Sequence, residues 1–133
     1  MGSQGNDNIN VNGGANTIDG QGGNDTINAG GGVDIIIGGA GNDTITGGAG
    51  NDIIRFALGF DDDTIIGFDS DPAGGQDRLS LGASLGINAG NFAGNVAIAA
   101  QGANTLITIG GDTITLLGVA AATVTIDDFA FGL

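Results

Sequence analysis

The chain has 133 residues, enough for one domain of ordinary size, and a formal net charge of −13 from 15 acids against two arginines. Every acid is Asp and no lysine is present, a balance that argues against nucleic acid or an anionic membrane as partner. With no Cys and no His there is no disulfide framework and none of the soft or imidazole ligands that zinc, copper and iron sites use, and no apolar run approaches the roughly 20 residues of a membrane span.

Met1-Gly2-Ser3 reads as a cut or added end. The pattern behind it starts abruptly, with neither a cap nor a secretory signal before it, so native sequence is expected to continue upstream. From Gly2 to Arg55 one nine-residue phrase is repeated six times without a gap, most clearly as GGAGNDTIT (38–46) and GGAGNDIIR (47–55). Ile9, Ile18, Ile27, Ile36, Ile45 and Ile54 fall in one column, and two residues before each stands Asp7, Asn16, Asp25, Asp34, Asp43 or Asp52. A nonapeptide buries nothing alone and must stack on copies of itself. Its Gly-rich first six residues can hold tight bends without steric cost, and its last three alternate polar, apolar, polar in β-favouring residues. The phrase therefore predicts a flattened parallel coil with the Ile inward and two repeats, or eighteen residues, per winding. Stacking then places Asp7, Asp25 and Asp43 along one edge and Asn16, Asp34 and Asp52 along the other.

The choice of Asp over Glu has a physical reading. A carboxylate that sits in a tight turn and folds back toward the backbone needs the short arm. Twelve of the 15 acids precede residue 80, so the charge belongs to the repeats and their flank. Oxygen ligands select hard cations. Flexible loops of carboxylates and carbonyls suit the six to eight long bonds of Ca²⁺ better than Mg²⁺, which prefers to keep water. Ordering 29 glycines is expensive, one buried Ile per repeat offsets little of it, and the carboxylates repel one another. Positive charge has to be added for such a chain to fold.

After Arg55 the period slips: Ile65 follows Ile54 by eleven residues, and FALGFDDDTI carries Asp61, Asp62 and Asp63 together. A seventh, wider winding is predicted in which Asp63 takes the ligand position, with Asp43 as partner, while Phe56 and Phe60 thicken the core. GFDSDPAGGQDRLSL follows, with Asp69, Asp71 and Asp77 around the single proline, Pro72. Here Asp77 either joins the metal-binding acids or is paired to Arg78 or solvated. Leu81 to Gly94 is an irregular bridge. Beyond it NVAIAA, TLITI, DTITLL and TVTIDDF are strand-like, and Gly110-Gly111 is a two-residue hairpin signal. Only Asp112, Asp127 and Asp128 are acidic there, so this part is expected to pack conventionally and to cap the open strand edges in which a stacked coil ends.

The repeated phrase matches G-G-x-G-x-D-x-U-x, the calcium-binding repeat of RTX proteins, and residues 2–55 resemble that family of hemolysin-type calcium-binding repeats. RFALGFDDDTIIGFDSDPAGGQDRLSL (55–81) and TLITIGGDTITLLGVAAATVTIDDFAF (105–131) are similar to the segments that close RTX arrays. The resemblance implies an all-β fold, a parallel β-roll or two-sheet β-helix of stacked nonapeptides with a C-terminal β-rich cap. Residues 1–81 would form the roll, with regular repeats over 2–55 and irregular windings over 56–81, and residues 82–133 the cap and secretion signal. It also implies several Ca²⁺ ions held between successive turns by Asp7, Asn16, Asp25, Asp34, Asp43, Asp52 and Asp63, the Asn16 site being weaker, with Asp69 and Asp77 serving a last ion beside the Pro72 loop. Backbone carbonyls of Gly2, Gly5, Gly20, Gly22, Gly23, Gly30, Gly31, Gly32, Gly38, Gly39, Gly41, Gly47, Gly48 and Gly50 would complete the sites.

By the same resemblance the chain is expected to be the terminal module of a larger protein. That protein would leave the cell through the type I secretion machinery, fold on calcium outside it, and be secreted, extracellular or at the cell surface; the ending DDFAFGL resembles the uncleaved signal of that route. The module itself is expected to be monomeric. Two other readings compete. One is a surface adhesin or ice-binding repeat, since Asn8, Asn10, Thr17, Thr26, Asn28, Thr44 and Thr46 face outward, although Asp19, Ile35, Ile37, Ile53 and Arg55 interrupt those rows. The other is an accessory module of a secreted epimerase, lipase or metalloprotease. An enzyme is not expected: Ser3, Ser70, Ser80 and Ser84 stand in no activating context. A glycosidase-like Asp pair is formally available, but the ladder already explains the Asp residues.

Overall fold

The computed structural model describes residues 2–69 and 76–131. Met1, the Pro72 turn with Asp71, and the last two residues of the DDFAFGL ending lie outside the described residues. Each repeat yields one short strand centred on its Ile: β1 Asn8–Asn10, β2 Thr17–Asp19, β3 Thr26–Asn28, β4 Ile35–Ile37, β5 Thr44–Thr46 and the slightly longer β6 Ile53–Phe56. Odd strands stack in parallel in one sheet and even strands in another. Ile9 stands beside Ile27 and Ile27 beside Ile45, and across the roll Ile18 stands beside Ile36 and Ile36 beside Ile54. One winding is therefore two repeats, as the period predicts.

The slip after Arg55 is absorbed without loss of register. β7 (Asp62–Ile66) joins β5 with Ile65 beside Ile45, and β8 (Arg78–Leu81) joins β6 with Leu79 beside Ile54. Each column residue from Ile18 to Leu79 is at most 2% exposed, while Ile9 in the end winding is only partly buried. Phe56 and Phe60 widen the core edge to face, with ring centroids 4.9 Å apart.

The remainder grows onto the same two sheets. β9 (Val96–Gln101), β10 (Asn104–Ile109) and β11 (Asp112–Leu117) form an antiparallel meander, with the Gly110-Gly111 turn between the last two as expected. β11 then runs parallel to β7, with Leu116 beside Ile65. A 3₁₀ turn at Ala83–Leu85 and one helical turn, α1 (Phe92–Asn95), fill the bridge. TVTIDDF departs from its strand-like pattern. A 3₁₀ turn at Ala121–Thr123 leads into it, and a second at Ile126–Asp128 precedes β12 (Phe129–Phe131), which lies parallel to β8. The cause is local. Thr125 accepts the Asp127 amide while the Asp128 carboxylate accepts the Thr125 amide, a capping box that wins over β propensity. Buried Asp128 also accepts from Gln76 Nε2 at 2.6 Å, tying the turn to the foot of β8. One contiguous core runs from Ile18 to Phe129. Among the described residues no helix is long and apolar enough to cross a membrane.

Successive turns approach so closely that only glycine fits between them. Gly41 sits at φ 116° with the Gly23 carbonyl where a Cβ would stand, whereas Gly102, in the β9–β10 turn at φ 64°, has open space around it. Gly102→Ala should therefore cost only the left-handed backbone penalty, about 1–2 kcal/mol, or roughly 3–8 °C in Tm. Gly41→Ala should lower Tm at least twice as far. Thermal unfolding of the two variants side by side checks this, and equal shifts would contradict the close stacking of turns.

Candidate metal centre

Each Asp stands two residues before a column Ile, so its side chain points to the same inner side of the roll, at the corner where strand gives way to turn. Asp25, Asp34, Asp43, Asp52, Asp63 and Asp77 are each at most 2% exposed. One oxygen of each has a clear task. Asp25 Oδ1 accepts the Asp7 amide at 2.8 Å, Asp43 that of Asp25 at 2.8 Å, and Asp63 that of Asp43 at 2.8 Å. On the other edge Asp34 accepts from Asn16 at 2.8 Å, Asp52 from Asp34 at 3.0 Å, and Asp77 from Asp52 at 2.9 Å. The two edges foreseen from eighteen-residue pairing are present, and Asp63 and Asp77 extend them across wider spacings.

The second oxygens are the unusual feature. Oδ2 of Asp25, Asp34, Asp43 and Asp52 is buried with no hydrogen-bond partner. A buried carboxylate oxygen without a donor is costly unless something positive reaches it. In three cases the surroundings are defined by a glycine at the start of the same turn: a Cβ on Gly20, Gly38 or Gly47 would strike the Oδ2 of Asp25, Asp43 or Asp52 respectively. A Cβ on Gly20 would also meet the Gly38 carbonyl of the next winding. Carbonyl oxygens of Gly5, Gly23, Gly30 and Gly32 likewise face a glycine Cα one winding on, at Gly23, Gly41, Gly48 and Gly50. Those of Gln21, facing Gly39, and Gly14, facing Gly32, do the same and were not anticipated from the sequence.

Other expected ligands stand differently. Asp7 Oδ2 accepts both the amide and the hydroxyl of Ser3, at 2.5 and 2.9 Å. Asn16 turns its Nδ2 to the Gly14 carbonyl at 2.9 Å. Asp69 meets Asp77 through its backbone, its amide donating to Asp77 Oδ2 and its carbonyl accepting the Asp77 amide, both at 2.9 Å. Asp77 is thus neither solvated nor taken up by a pair with Arg78; its two oxygens serve Asp52 and Asp69. Carbonyls of Gly2, Gly30 and Gly31 already accept from Gln21 Nε2, the Ala49 amide and the Gly14 amide. Gly22 and Gly31 lie in isolated parallel bridges with Ala40 and Ala49. Among the described residues no three acidic side chains gather tightly enough to hold an ion alone. Any site here is completed by backbone carbonyls.

A second ladder escaped the sequence reading. Asn6 Oδ1 accepts the Asn24 amide at 2.7 Å, Asn24 that of Asn42 at 2.9 Å, Asn42 that of Asp62 at 3.1 Å, and on the opposite edge Asn51 that of Gln76 at 3.2 Å. Each Asn reaches forward one winding while the Asp beside it reaches back. The signal was the dipeptide Asn-Asp at 6–7, 24–25, 42–43 and 51–52.

Comparison with known proteins agrees with this geometry. The family described as RTX calcium-binding nonapeptide repeat (4 copies) matches residues 1–36 and 29–62. The AlgE6R3 subunit of the mannuronan C5-epimerase of Azotobacter vinelandii is 30% identical and superposes with TM-score 0.73, over 98% of this chain and 80% of that one. The chain belongs to the RTX calcium-binding repeat family. The AlgE6R2 subunit of the same epimerase is also 30% identical, with TM-score 0.63 over 90% of this chain and 91% of that one. The extracellular lipase LipA of Serratia marcescens, 20% identical with TM-score 0.71 over 98% of this chain, shares the fold, and the RTX chain spans only 20% of its length. No curated protein sequence matches significantly. The fold is an RTX parallel β-roll, and RTX nonapeptide repeats bind calcium ions.

The electrostatics fit a hard cation. Burial, reinforced by the charges of Asp25 and Asp61, pushes the Asp43 carboxyl up to about 6. Burial, with Asp43, Asp61 and Asp112 nearby, pushes Asp63 up to about 8. Asp52 and Asp77 are raised by burial too, with like charge from Asp77 and Asp34 on the first and from Asp69 on the second. Amide donors lower all four without cancelling the burial. Because the folded values lie above the ordinary 3.8, protons stabilise the metal-free roll. That help is complete below the unfolded pKa and is lost as pH rises through about 6 at Asp43 and about 8 at Asp63. Protons and calcium compete for the same oxygens. In EDTA the chain should therefore gain β-structure as pH is lowered from about 8 to about 5. Circular dichroism in EDTA at several pH values checks this, and a β content flat over that window would contradict burial of the carboxylates.

Proposed function

We propose that this RTX chain is a calcium-folded structural module at the C-terminal end of a larger exported protein, with no catalytic part of its own. The observation that carries the reading is the set of four buried, partnerless Oδ2 atoms of Asp25, Asp34, Asp43 and Asp52. Calcium, when bound, supplies positive charge and accepts six to eight oxygens at flexible geometry. Asp25, Asp43 and Asp63 would hold ions along one edge, with carbonyls from Gly5, Gly20, Gly23 and Gly38. Asp34, Asp52 and Asp77 would do so along the other, with the carbonyl of Gly32. Asp7 and Asn16 open the rows with weaker sites, one engaged by Ser3 and the other lacking a charge.

In this reading residues 1–81 are the ion-dependent roll and residues 82–133 the cap. β11 continues one sheet beyond β7 and β12 continues the other beyond β8, so the last windings do not end in open edges. Export is supported by the extracellular lipase among the structural neighbours, and the type I route by the resemblance of the ending. Calcium is scarce in the cytosol, so folding would follow exit. The ice-binding reading has less support, because Ile35, Ile37, Ile53 and Arg55 break the polar rows on the second sheet.

Far-UV circular dichroism of the full chain in EDTA and then in millimolar Ca²⁺ tests the proposal. The chain should be largely disordered first and β-rich afterwards, with Mg²⁺ much less effective. Asp25→Ala, which removes an orphan oxygen shared between two windings, should raise the calcium midpoint on the order of tenfold. Asp7→Ala should raise it less, since that carboxylate already serves Ser3. A spectrum already β-rich in EDTA and unmoved by Ca²⁺ would overturn the reading.

A further inference from the structure

We infer that the chain carries a second binding site, separate from the ladder of carboxylates, which takes a small aliphatic carboxylate. A cavity of about 320 Å³ opens where β4 and β6 end, walled by Ile37, Phe56, Leu58 and Gly82 with Arg55 among them. That volume lies at the small end of the range of small-molecule sites. Among the described residues that line it there is no acid. Its walls are fixed by bonds that need no ligand. The Gly82 amide donates to the Phe56 carbonyl at 2.8 Å, the Leu58 amide to Ser84 Oγ at 3.1 Å, and the Ala40 amide to the Gln21 carbonyl at 2.9 Å.

Arg55 gives the cavity its chemistry. The other repeats end in Asn10, Asp19, Asn28, Ile37 and Thr46, so nothing in the repeat demands a cation at this position. Arg55 is one of two cations in a chain with 15 acids, yet its Nε is buried with no hydrogen-bond partner. Ser80, beside it on β8, does not supply one, for that hydroxyl is itself buried and partnerless. A buried N–H without an acceptor is costly, and an anion seated on the guanidinium offsets that cost. The planar guanidinium matches a carboxylate through paired N–H···O bonds. The walls around it are apolar, and one of them, Leu58, is 76% exposed. One carboxylate on a short hydrocarbon tail matches both surfaces. A free acid fits better than the end of a peptide, because a peptide held by main-chain bonds needs an open sheet edge, and β6 is already paired with β4 and β8. The net charge of −13 opposes an anion at long range, but that repulsion is screened over about 8 Å at physiological ionic strength.

The test is an NMR titration of the full chain in saturating CaCl₂ that follows the Arg55 side-chain Nε–H and the amides of Ala57, Leu58 and Gly59. Sodium hexanoate should shift these signals with a Kd on the order of 0.1–1 mM. Acetate, which lacks the tail, and hexanol, which lacks the carboxylate, should each bind roughly tenfold more weakly. Arg55→Gln should weaken hexanoate by roughly tenfold and leave hexanol unchanged, and Arg55→Lys, which keeps the charge without the fork, should fall between. Leu58→Ser, a change at an exposed side chain, should weaken hexanoate and leave acetate unchanged. Hexanoate that leaves the Arg55 Nε–H unmoved, binds no better than hexanol, or binds Arg55→Gln as well as the wild type overturns the site. N-acetyl-leucine binding more tightly than hexanoate overturns the choice of a free acid. The site uses none of the Asp carboxylates, so its failure leaves the calcium reading standing.

Discussion

A carboxylate held out of water against backbone, with one oxygen satisfied and the other not, is the constraint on which this structure depends. Asp reaches that position because it stands two residues before an inward Ile, and it stays there because Oδ1 takes the amide of the preceding winding. The bond fixes the spacing of turns and at the same time orients Oδ2 inward, where no donor meets it. Stacking and cation demand are thus produced by one side chain. A roll of this kind cannot be made more stable simply by repeating it, since each added winding brings another buried charge.

The other residue choices follow. Glycine is needed because the turns that present carbonyls to those oxygens pass within van der Waals contact of the turns before and after. One isoleucine from each repeat, with Ala29, fills the interior of the regular windings, and Phe56 and Phe60 enter where the winding widens. The C-terminal part is built by other rules. Its meander, with Ile107, Ile114 and Leu116 fully buried, carries ordinary hydrophobic stabilisation that does not depend on ions, and it is joined to the roll through β7 and β8.

The regular windings were legible because their signal is a period, and a period survives ignorance of every individual contact. Ile18, Ile36 and Ile54 could be placed side by side before any coordinate was known, and with them Asp34 and Asp52. Asp63 was legible from its place two residues before Ile65. Asp77 was not, because the chain between Ile54 and Leu79 has no fixed length per turn and a solvated or Arg78-paired carboxylate fits the same local sequence. The Asn ladder was missed for a different reason: Asn in a Gly-rich turn already has a sufficient local explanation, and nothing within one repeat shows that its oxygen bonds outside it. In TVTIDDF the alternating Thr, Val and Ile pattern concealed a four-residue capping box, a case of local hydrogen bonding overruling β propensity.

The most direct test is to locate the ions. A crystal structure of the chain grown in calcium, with anomalous scattering collected at long wavelength, should show two rows of peaks. One row should lie against Oδ2 of Asp25 and Asp43 and the other against Oδ2 of Asp34 and Asp52, each also bounded by glycine carbonyls of the adjacent turn. Peaks confined to exposed carboxylates such as Asp61, Asp62 and Asp127, with nothing beside those four oxygens, would contradict the claim that buried Asp charge is what calcium resolves.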